Sequence, residues 1–221
     1  MLDSYGPCVK LAYHREKLVA QILYFPESAE PCWAFRREGV LLIDCIYNPT
    51  PGAQRLGIGT MLLQSLIRDA KNRRTCLGDR PCRFIVAKAF DTGEALPMHE
   101  FYRGKGFLPT LEGDLVYLPV EGRYEPAEPV GDYRPLPEDR GRAIILYRPV
   151  CQFSYPFAKR VESLIRGIAP ELRTEVIDEW EKPQDSIKRR NCWLIVNARP
   201  VRTLVTEAEK FKEEVRRAAL D

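Results

Sequence analysis

The sequence predicts an α/β fold in two parts: a mixed central sheet flanked by helices, then a second, smaller α/β domain. Three observations predict it. Two nearly continuous apolar runs, Gly39–Tyr47 (GVLLIDCIY) and Phe84–Phe90 (FIVAKAF), read as strands buried on both faces, and an amphipathic helical stretch stands between them. Between Pro119 and Arg142 five prolines and three glycines leave no hydrophobic period, as expected of an extended linker. A strand–helix alternation then resumes, in a chain of 221 residues that is 45% hydrophobic and 29% charged, enough to bury a core in each part. The division expected is 1–120, a linker at 121–142, and 143–221.

In chain order, Val9–His14 and Leu18–Phe25 alternate as a hairpin turned at Arg15–Lys17. Gly39–Tyr47 is the first buried strand, followed by the Pro/Gly-rich turn NPTPGAQRLGIG. In TMLLQSLIRDAKN the residues Met61, Leu62, Leu63, Leu66, Ile67 and Ala70 form an apolar helical stripe, with Gln64, Arg68 and Lys71 facing away. Phe84–Phe90 is the second buried strand, Pro97–Lys105 a short helix and Leu115–Val120 a closing strand. After the linker, Ala143–Tyr147 reads as a strand. A helix follows over about Tyr155–Arg166, with Ser154 suited to the N-cap, Pro156 to the first turn and Gly167 to the C′ position. Leu172–Ile177 and Cys192–Val196 read as strands around a helical Ser186–Arg190. Thr206-Glu207-Ala208-Glu209 has the capping-box pattern of a final helix carrying Ala208, Phe211, Val215 and Ala218 on one stripe.

Composition excludes several functions. Lys and Arg number 34 against 31 Asp and Glu, and neither half is a basic arm, so a binder of nucleic-acid phosphates has no electrostatic footprint. Two histidines, His14 and His99, exclude a multi-histidine metal cage, and no metal site is expected. Seven cysteines, at 8, 32, 45, 76, 82, 151 and 192, are odd in number and include no C-x-x-C pair, which argues against a zinc ribbon or an extracellular disulfide framework. No apolar run is long enough for a membrane span and no signal-peptide pattern opens the chain, so a cytoplasmic protein with free thiols is expected.

The chemistry lies in the strand–turn–helix segment LLIDCIY, NPTPGA, Gln54-Arg55-Leu56-Gly57-Ile58-Gly59-Thr60. Glycines at 57 and 59 remove the Cβ atoms that would keep a ligand off the backbone. Amides at the helix start lack intrahelical acceptors, and the helix dipole favours an anion there. No Gly-Lys-Ser/Thr follows, so this is not a Walker A loop, and no third glycine completes a Rossmann fingerprint. The alternative reading is that the two glycines simply permit tight strand–helix packing.

Gln54-x-x-Gly57-x-Gly59 resembles the Q/R-x-x-G-x-G/A signature of the GNAT acetyltransferase superfamily, and Phe101-Tyr102-Arg103-Gly104-Lys105-Gly106-Phe107 resembles that family's F-Y-x-x-x-G-F segment. The resemblance covers roughly residues 8–120 and implies a GNAT-type mixed sheet and an N-acetyltransferase using acetyl-CoA. It implies that the amides of Arg55, Leu56, Gly57, Ile58, Gly59 and Thr60 bind pyrophosphate, with Gln54 opening the loop. By the same resemblance, the backbone of Ile46, Tyr47 and Asn48 would pair with the pantetheine arm and hold the oxyanion. Tyr102 falls where many members protonate the departing thiolate; the other reading of Tyr102 is a core aromatic.

The sequence departs from the family pattern in its long, Pro-rich turn at Asn48–Ala53 and in Asp91-Thr92-Gly93-Glu94, where many members carry an Asn. It also has only about 45 residues before the signature, where the family usually spends more on a strand and two helices walling the acceptor site. Asp44, Glu38 and Glu27 are the candidate general bases, and the amine acceptor is unnamed.

The second part, with strand, Cys151-x-x-Ser154, helix, strand, helix, strand and helix, resembles a compact thioredoxin-like unit, and the whole is similar to the YoaP-like architecture. A thiol just before a helix start has a reason for a lowered pKa, which makes Cys151 a candidate thiol, with Cys192 in later reach. Ser154 stands in place of a resolving cysteine. The competing readings are an interaction or homodimerisation module, a thiol-exchange or redox-sensing protein, and a regulatory coenzyme A binder without transferase activity.

Overall fold

The computed structural model describes residues 2–33, 36–89, 97–111, 115–127 and 131–220. The chain divides into two compact units, Met1–Glu30 with Phe35–Glu128, and Pro31–Ala34 with Pro129–Asp221.

In the first unit, a short helix α1 (Leu2–Tyr5) precedes the hairpin of β1 (Val9–His14) and β2 (Lys17–Pro26). The hairpin turns through Arg15 and Glu16, both left-handed at φ 48° and 63°, the geometry that matches strand twist. β3 (Val40–Tyr47) pairs antiparallel with β2 and parallel with β4 (Phe84–Lys88), and the crossover between them is α2 (Ile58–Lys71). After α3 (Met98–Arg103) come a two-residue edge strand β5 (Leu108–Pro109) and β6 (Leu115–Pro119). The sheet order is β1-β2-β3-β4-β6-β5, antiparallel except at β3/β4.

β3 is apolar throughout its first half because both sheet faces there are covered: Val40, Leu41, Leu42 and Ile43 are all buried. Leu41 and Ile43 pack with Leu62, Leu63, Leu66 and Ala70 of α2, and with Tyr102 and Phe107. The apolar stripe of α2 is narrower than its sequence suggests. Met61, expected on the stripe, is 64% exposed, because it lies a turn-fraction outside the Leu62–Leu66–Ala70 line.

On the other face, Phe84 is met edge-on by Tyr124, which also stacks on Tyr117 at 4.0 Å between ring centroids. The Arg37 guanidinium lies over the Phe84 and Tyr124 rings. It also clasps the fully buried Glu27 carboxylate, with Nε to Oε2 at 2.7 Å and Nη2 to Oε1 at 2.5 Å. The residues just past β6 are thus ordered against this unit: Val120 and Gly122 donate to the Arg83 carbonyl and Glu121 to that of Cys82, each at 3.0 Å.

In the second unit β7 (Arg142–Tyr147), α4 (Ser154–Ile168), β8 (Arg173–Asp178), α5 (Pro183–Lys188), β9 (Leu194–Val196), β10 (Arg199–Pro200) and α6 (Ala208–Leu220) follow in order. The sheet runs β10-β9-β7-β8, with β7 and β8 parallel and the other pairs antiparallel. Ala143 and Ile145 pack with Val161 and Ile165 of α4 and with Phe211 and Val215 of α6. Ile144 and Leu146 face the opposite way, with Ile177 and Ile195. The segment before β7 is pinned by Asp139: the buried Arg189 donates to it from Nη2 at 2.6 Å, and Tyr133 from its hydroxyl at 2.8 Å.

Three cap expectations are corrected. Ser154 is the first residue of α4 rather than its N-cap, a place taken by Phe153, and the Ser154 Oγ accepts the Arg148 N–H at 3.0 Å instead. Gly167 does not end α4, which runs to Ile168 and is capped by Ala169, whose N–H reaches the Ile165 carbonyl at 2.8 Å. In α6 the Phe211 N–H donates to the Glu207 carbonyl at 2.9 Å, so Glu207 and not Thr206 precedes the first turn. The sequence reading also missed β5 and β10, which are too short to show a period; β10 is set by Asn197 and Ala198, left-handed at φ 48° and 61°.

Leu63 is fully buried and Met61 exposed, so truncating the two separates core from surface. Leu63→Ala is expected to cost about 3 kcal/mol in urea unfolding, and Met61→Ala less than about 0.5 kcal/mol.

Candidate functional site

The site begins where the parallel ladder stops. β3 and β4 pair from Val40↔Phe84 to Ile43↔Ala87, and β3 then continues alone on that side through Asp44–Tyr47. On its other side β3 still pairs with β2, but the register jumps: Leu23 faces Cys45 while Tyr24 faces Ile43, leaving Asp44 as a bulge residue. In an antiparallel pair only alternate residues bond their neighbour, so part of the Asp44–Tyr47 backbone aims at the side that β4 has left. The bulge also changes facing. Ile43 and Ile46 both pack on the α2 side, which simple alternation would forbid.

The loop after β3 is braced by two of the residues that the sequence singled out. Asn48 Oδ1 accepts the Thr50 N–H at 3.2 Å and its Nδ2 donates to the Ala53 carbonyl at 2.8 Å. Gln54 Nε2 donates to the Asn48 carbonyl at 3.2 Å, tying the loop's end to its beginning. Pro51–Ala53 form one 3-10 turn within it. Arg55 then takes φ 60° and Gly57 φ 75°, two left-handed residues flanking Leu56. A left-handed Arg costs on the order of 1 kcal/mol, so the folded loop is held against that cost by the Asn48 and Gln54 bonds.

Gly57 is the N-cap of α2 and supplies no side-chain cap. The first bond into the helix is Met61 N–H to the Gly57 carbonyl at 2.9 Å, so the amides of Ile58, Gly59 and Thr60 precede the intrahelical ladder. A Cβ built on Gly57 would meet no atom within 4 Å, so the backbone there is open to approach. One at Gly59 would meet Ile46 Cδ1 and the Phe101 ring at 3.8 Å. Gly59 is therefore where the end of β3, the start of α2 and α3 converge. At 57 glycine serves the left-handed φ, whereas a Cβ at 59 would make only ordinary contacts with Ile46 and Phe101.

Phe101 is half-buried, carries Lys105 Nζ at 5.0 Å from its ring centroid and meets Tyr102 edge-on at 5.3 Å. Tyr102 itself is 1% exposed and also packs against Phe107, at 5.0 Å. Burial first, then the neighbouring Cys45, pushes the Tyr102 phenol well above its ordinary value, so it is protonated at neutral pH. Cys45 is the one neighbour that the sequence reading did not mark; the bulge beside it carries no sequence signal in a run that is apolar anyway.

Of the expected site residues, Ile46, Gly57, Ile58, Gly59 and Thr60 are brought to one end of the sheet, with Tyr102 reached through Phe101. Asn48 and Gln54 brace the loop. Tyr47 is exposed beside them. Among the candidate bases, Glu27 is buried in its clasp with Arg37, and Glu38 pairs with Arg80 at 2.9 Å on the surface. Asp44 is half-buried at the bulge. Asp91, Thr92, Gly93 and Glu94 lie outside the described residues, as does Phe90.

In the second unit, Cys151 is half-buried in the turn before α4, and its carbonyl accepts the Ser154 N–H at 3.0 Å. Cys192 donates its thiol to the Leu194 carbonyl at 3.3 Å, and burial pushes that thiol up. Among the described residues, no three His, Cys, Asp or Glu side chains converge as metal ligands. No described helix is long and apolar enough to cross a membrane.

No protein-family model matches the chain, and no curated protein does. Solved structures similar to it include a protein from Desulfovibrio desulfuricans assigned to the GNAT acetyltransferase family, at 21% identity and TM-score 0.39, over 51% of this chain and 67% of that one. An acetyltransferase of the GNAT family from Staphylococcus aureus is similar at 16% identity and TM-score 0.39, over 54% of this chain and 73% of that one. N-acetylglutamate synthase from Neisseria gonorrhoeae, complexed with coenzyme A and N-acetyl-glutamate, is similar at 18% identity and TM-score 0.37, over 54% of this chain and 27% of that one. What the site can do rests on this chain's own residues.

Removing the Gln54 amide tests the brace. Gln54→Ala is expected to lower stability by about 1 kcal/mol. Its effect in urea melts should be non-additive with that of Asn48→Ala, since both act on the same loop.

Proposed function

We propose that the first unit is a GNAT-type N-acetyltransferase that moves an acetyl group from acetyl-CoA to an amine acceptor by direct transfer. One observation carries this reading. A left-handed, glycine-capped loop presents the opening amides of α2 beside the point where two parallel strands part. Acetyl-CoA supplies an activated acyl thioester and a pyrophosphate, and the open backbone at Gly57 fits the latter. The amides of Arg55 to Thr60 would hold the phosphates, with the α2 dipole behind them. The backbone of Ile46, Tyr47 and Asn48, on the side vacated by β4, would pair with the pantetheine arm and meet negative charge developing on the acyl oxygen.

Tyr102 would then give its proton to the departing sulfur as the C–S bond breaks, and recover one originating from the amine. Its burial keeps the phenol protonated for that task. Asp44, at the bulge, is the base candidate nearest this region in the chain. The acceptor is a small molecule or protein amine; nucleic acid and membrane are not expected partners, and the cytoplasm is the expected compartment.

For the second unit we propose a thioredoxin-like accessory domain, which makes the whole similar to the YoaP-like architecture, with the unit boundary inside 121–142. The order β10-β9-β7-β8, with one parallel pair and two antiparallel neighbours, supports this. Its Cys151 thiol, in the turn before α4, would be the exchange-competent one, and homodimerisation its other use.

Calorimetric titration with acetyl-CoA tests the first proposal: saturable binding is expected for the native chain and its loss in Gly57→Glu. No binding, or binding that Gly57→Glu leaves unchanged, would defeat it. Once an acceptor is in hand, Tyr102→Phe should lower kcat by about 100-fold with KM for acetyl-CoA nearly unchanged. Full turnover in that variant would remove only the acid assignment.

A further inference from the structure

β1 is the outer strand of the first unit's sheet and pairs with β2 on one side only. The Tyr24 N–H donates to the Cys8 carbonyl at 3.0 Å, which fixes the phase of the β1–β2 ladder. By alternation Lys10 and Ala12 are bonded to β2, whereas Val9 and Leu11 aim their N–H and C=O groups at the open side. Among the described residues, no hydrogen bond within the chain takes those groups. An outer strand with open backbone groups is a template for pairing with another chain.

Beside this edge lies a groove of about 780 Å³ between β1 and α2. Leu11 and Tyr13 line it from β1, and Met61, Gln64, Ser65 and Arg68 from α2. Leu11, Tyr13 and Met61 are all exposed, so large apolar side chains gather where the core leaves them uncovered. A smaller groove of about 320 Å³ continues from Gln64 and Arg68 to Lys71. No carboxylate lines either groove, and the neighbouring Asp69 is already paired with Lys10. Arg68 and Lys71 are exposed cations that no acid pairs with among the described residues.

We propose that β1 and α2 form a docking surface for an extended acidic segment of another protein, which joins the sheet as a strand beside β1. Three properties of the surface set the chemistry of that segment. The open N–H and C=O groups of Val9 and Leu11 call for an extended backbone, because a helix satisfies its own groups internally. Successive side chains of a strand point to opposite faces, so every second one meets the groove. Apolar side chains there suit Leu11, Tyr13 and Met61, and carboxylates suit Arg68 and Lys71. A second copy of this chain fits less well: β1 (VKLAYH) carries no acid, so pairing two copies edge to edge through β1 brings no carboxylate to either cation. Docking here needs no coenzyme A, so its failure would leave acetyl transfer untouched.

The probe is a fluorescein-labelled octapeptide of alternating valine and glutamate, titrated with the full chain in the absence of coenzyme A and followed by anisotropy. Saturable binding is expected, at least about tenfold weaker for Arg68→Glu and for a peptide of alternating valine and lysine. Two glutamate peptides N-methylated at alternate residues, one in each phase, should differ by at least about tenfold, since only one phase blocks the hydrogen bonds to β1. Hydrogen exchange of the Val9 and Leu11 amides should slow on binding by at least about tenfold, a readout that needs no substitution. Absence of saturable binding, equal affinity for the lysine peptide, equal affinity for the two methylated peptides, or unchanged exchange at Val9 and Leu11 would each overturn the proposal. So would a dimer in sedimentation velocity that already protects those two amides, because the edge would then belong to a second copy.

Discussion

The candidate site depends on one event in the sheet: the parallel pairing of β3 with β4 ends at Ile43↔Ala87 while β3 runs on to Tyr47. A parallel ladder satisfies backbone donors and acceptors along its whole length, so its end turns a structural strand into one with polar backbone facing outward. The Asp44 bulge reinforces this by twisting β3 and by returning Ile46 to the α2 face. Without that return, Ile46 could not meet the first turn of α2 at Gly59. The opening amides of α2 and the strand backbone would then belong to separate surfaces.

The surrounding structure holds these parts by ordinary means. The leucines of α2 fix the helix axis against Leu41 and Ile43, and that fixes where its N-terminus points. Asn48 and Gln54 close the loop on itself, so the left-handed Arg55 and Gly57 are stabilised by hydrogen bonds made elsewhere in the same loop. Phe101 and Tyr102 place α3 beneath the junction. On the opposite face the Glu27–Arg37 clasp is buried and fully engaged, and its cation lies over two aromatic rings. Removing either partner would strand a buried charge, so this pair fixes the path of the chain into β3.

Much of this was legible in the sequence, for identifiable reasons. β3 and α2 announce themselves because burial on both faces and a leucine stripe are strong patterns, and the glycines at 57 and 59 mark the loop between them. The bulge was not legible: in a run such as VLLIDCIY every position is compatible with burial, so the phase of alternation is undefined. Ser154 and Thr206 look like caps because their residue types favour caps. In the fold the Ser154 hydroxyl is used by the Arg148 amide, and the α6 start falls one residue later than Thr206 suggests.

The most direct measurement of the central claim is the backbone amide spectrum of isotopically labelled protein as coenzyme A is added. The account predicts that the amides of Gly57, Ile58, Gly59 and Thr60 shift first and most. Those of Ile46 and Tyr47 should follow once the acetylated form is used. Shifts confined to residues 143–221, or an amide spectrum of the α2 start unchanged at saturating coenzyme A, would contradict it.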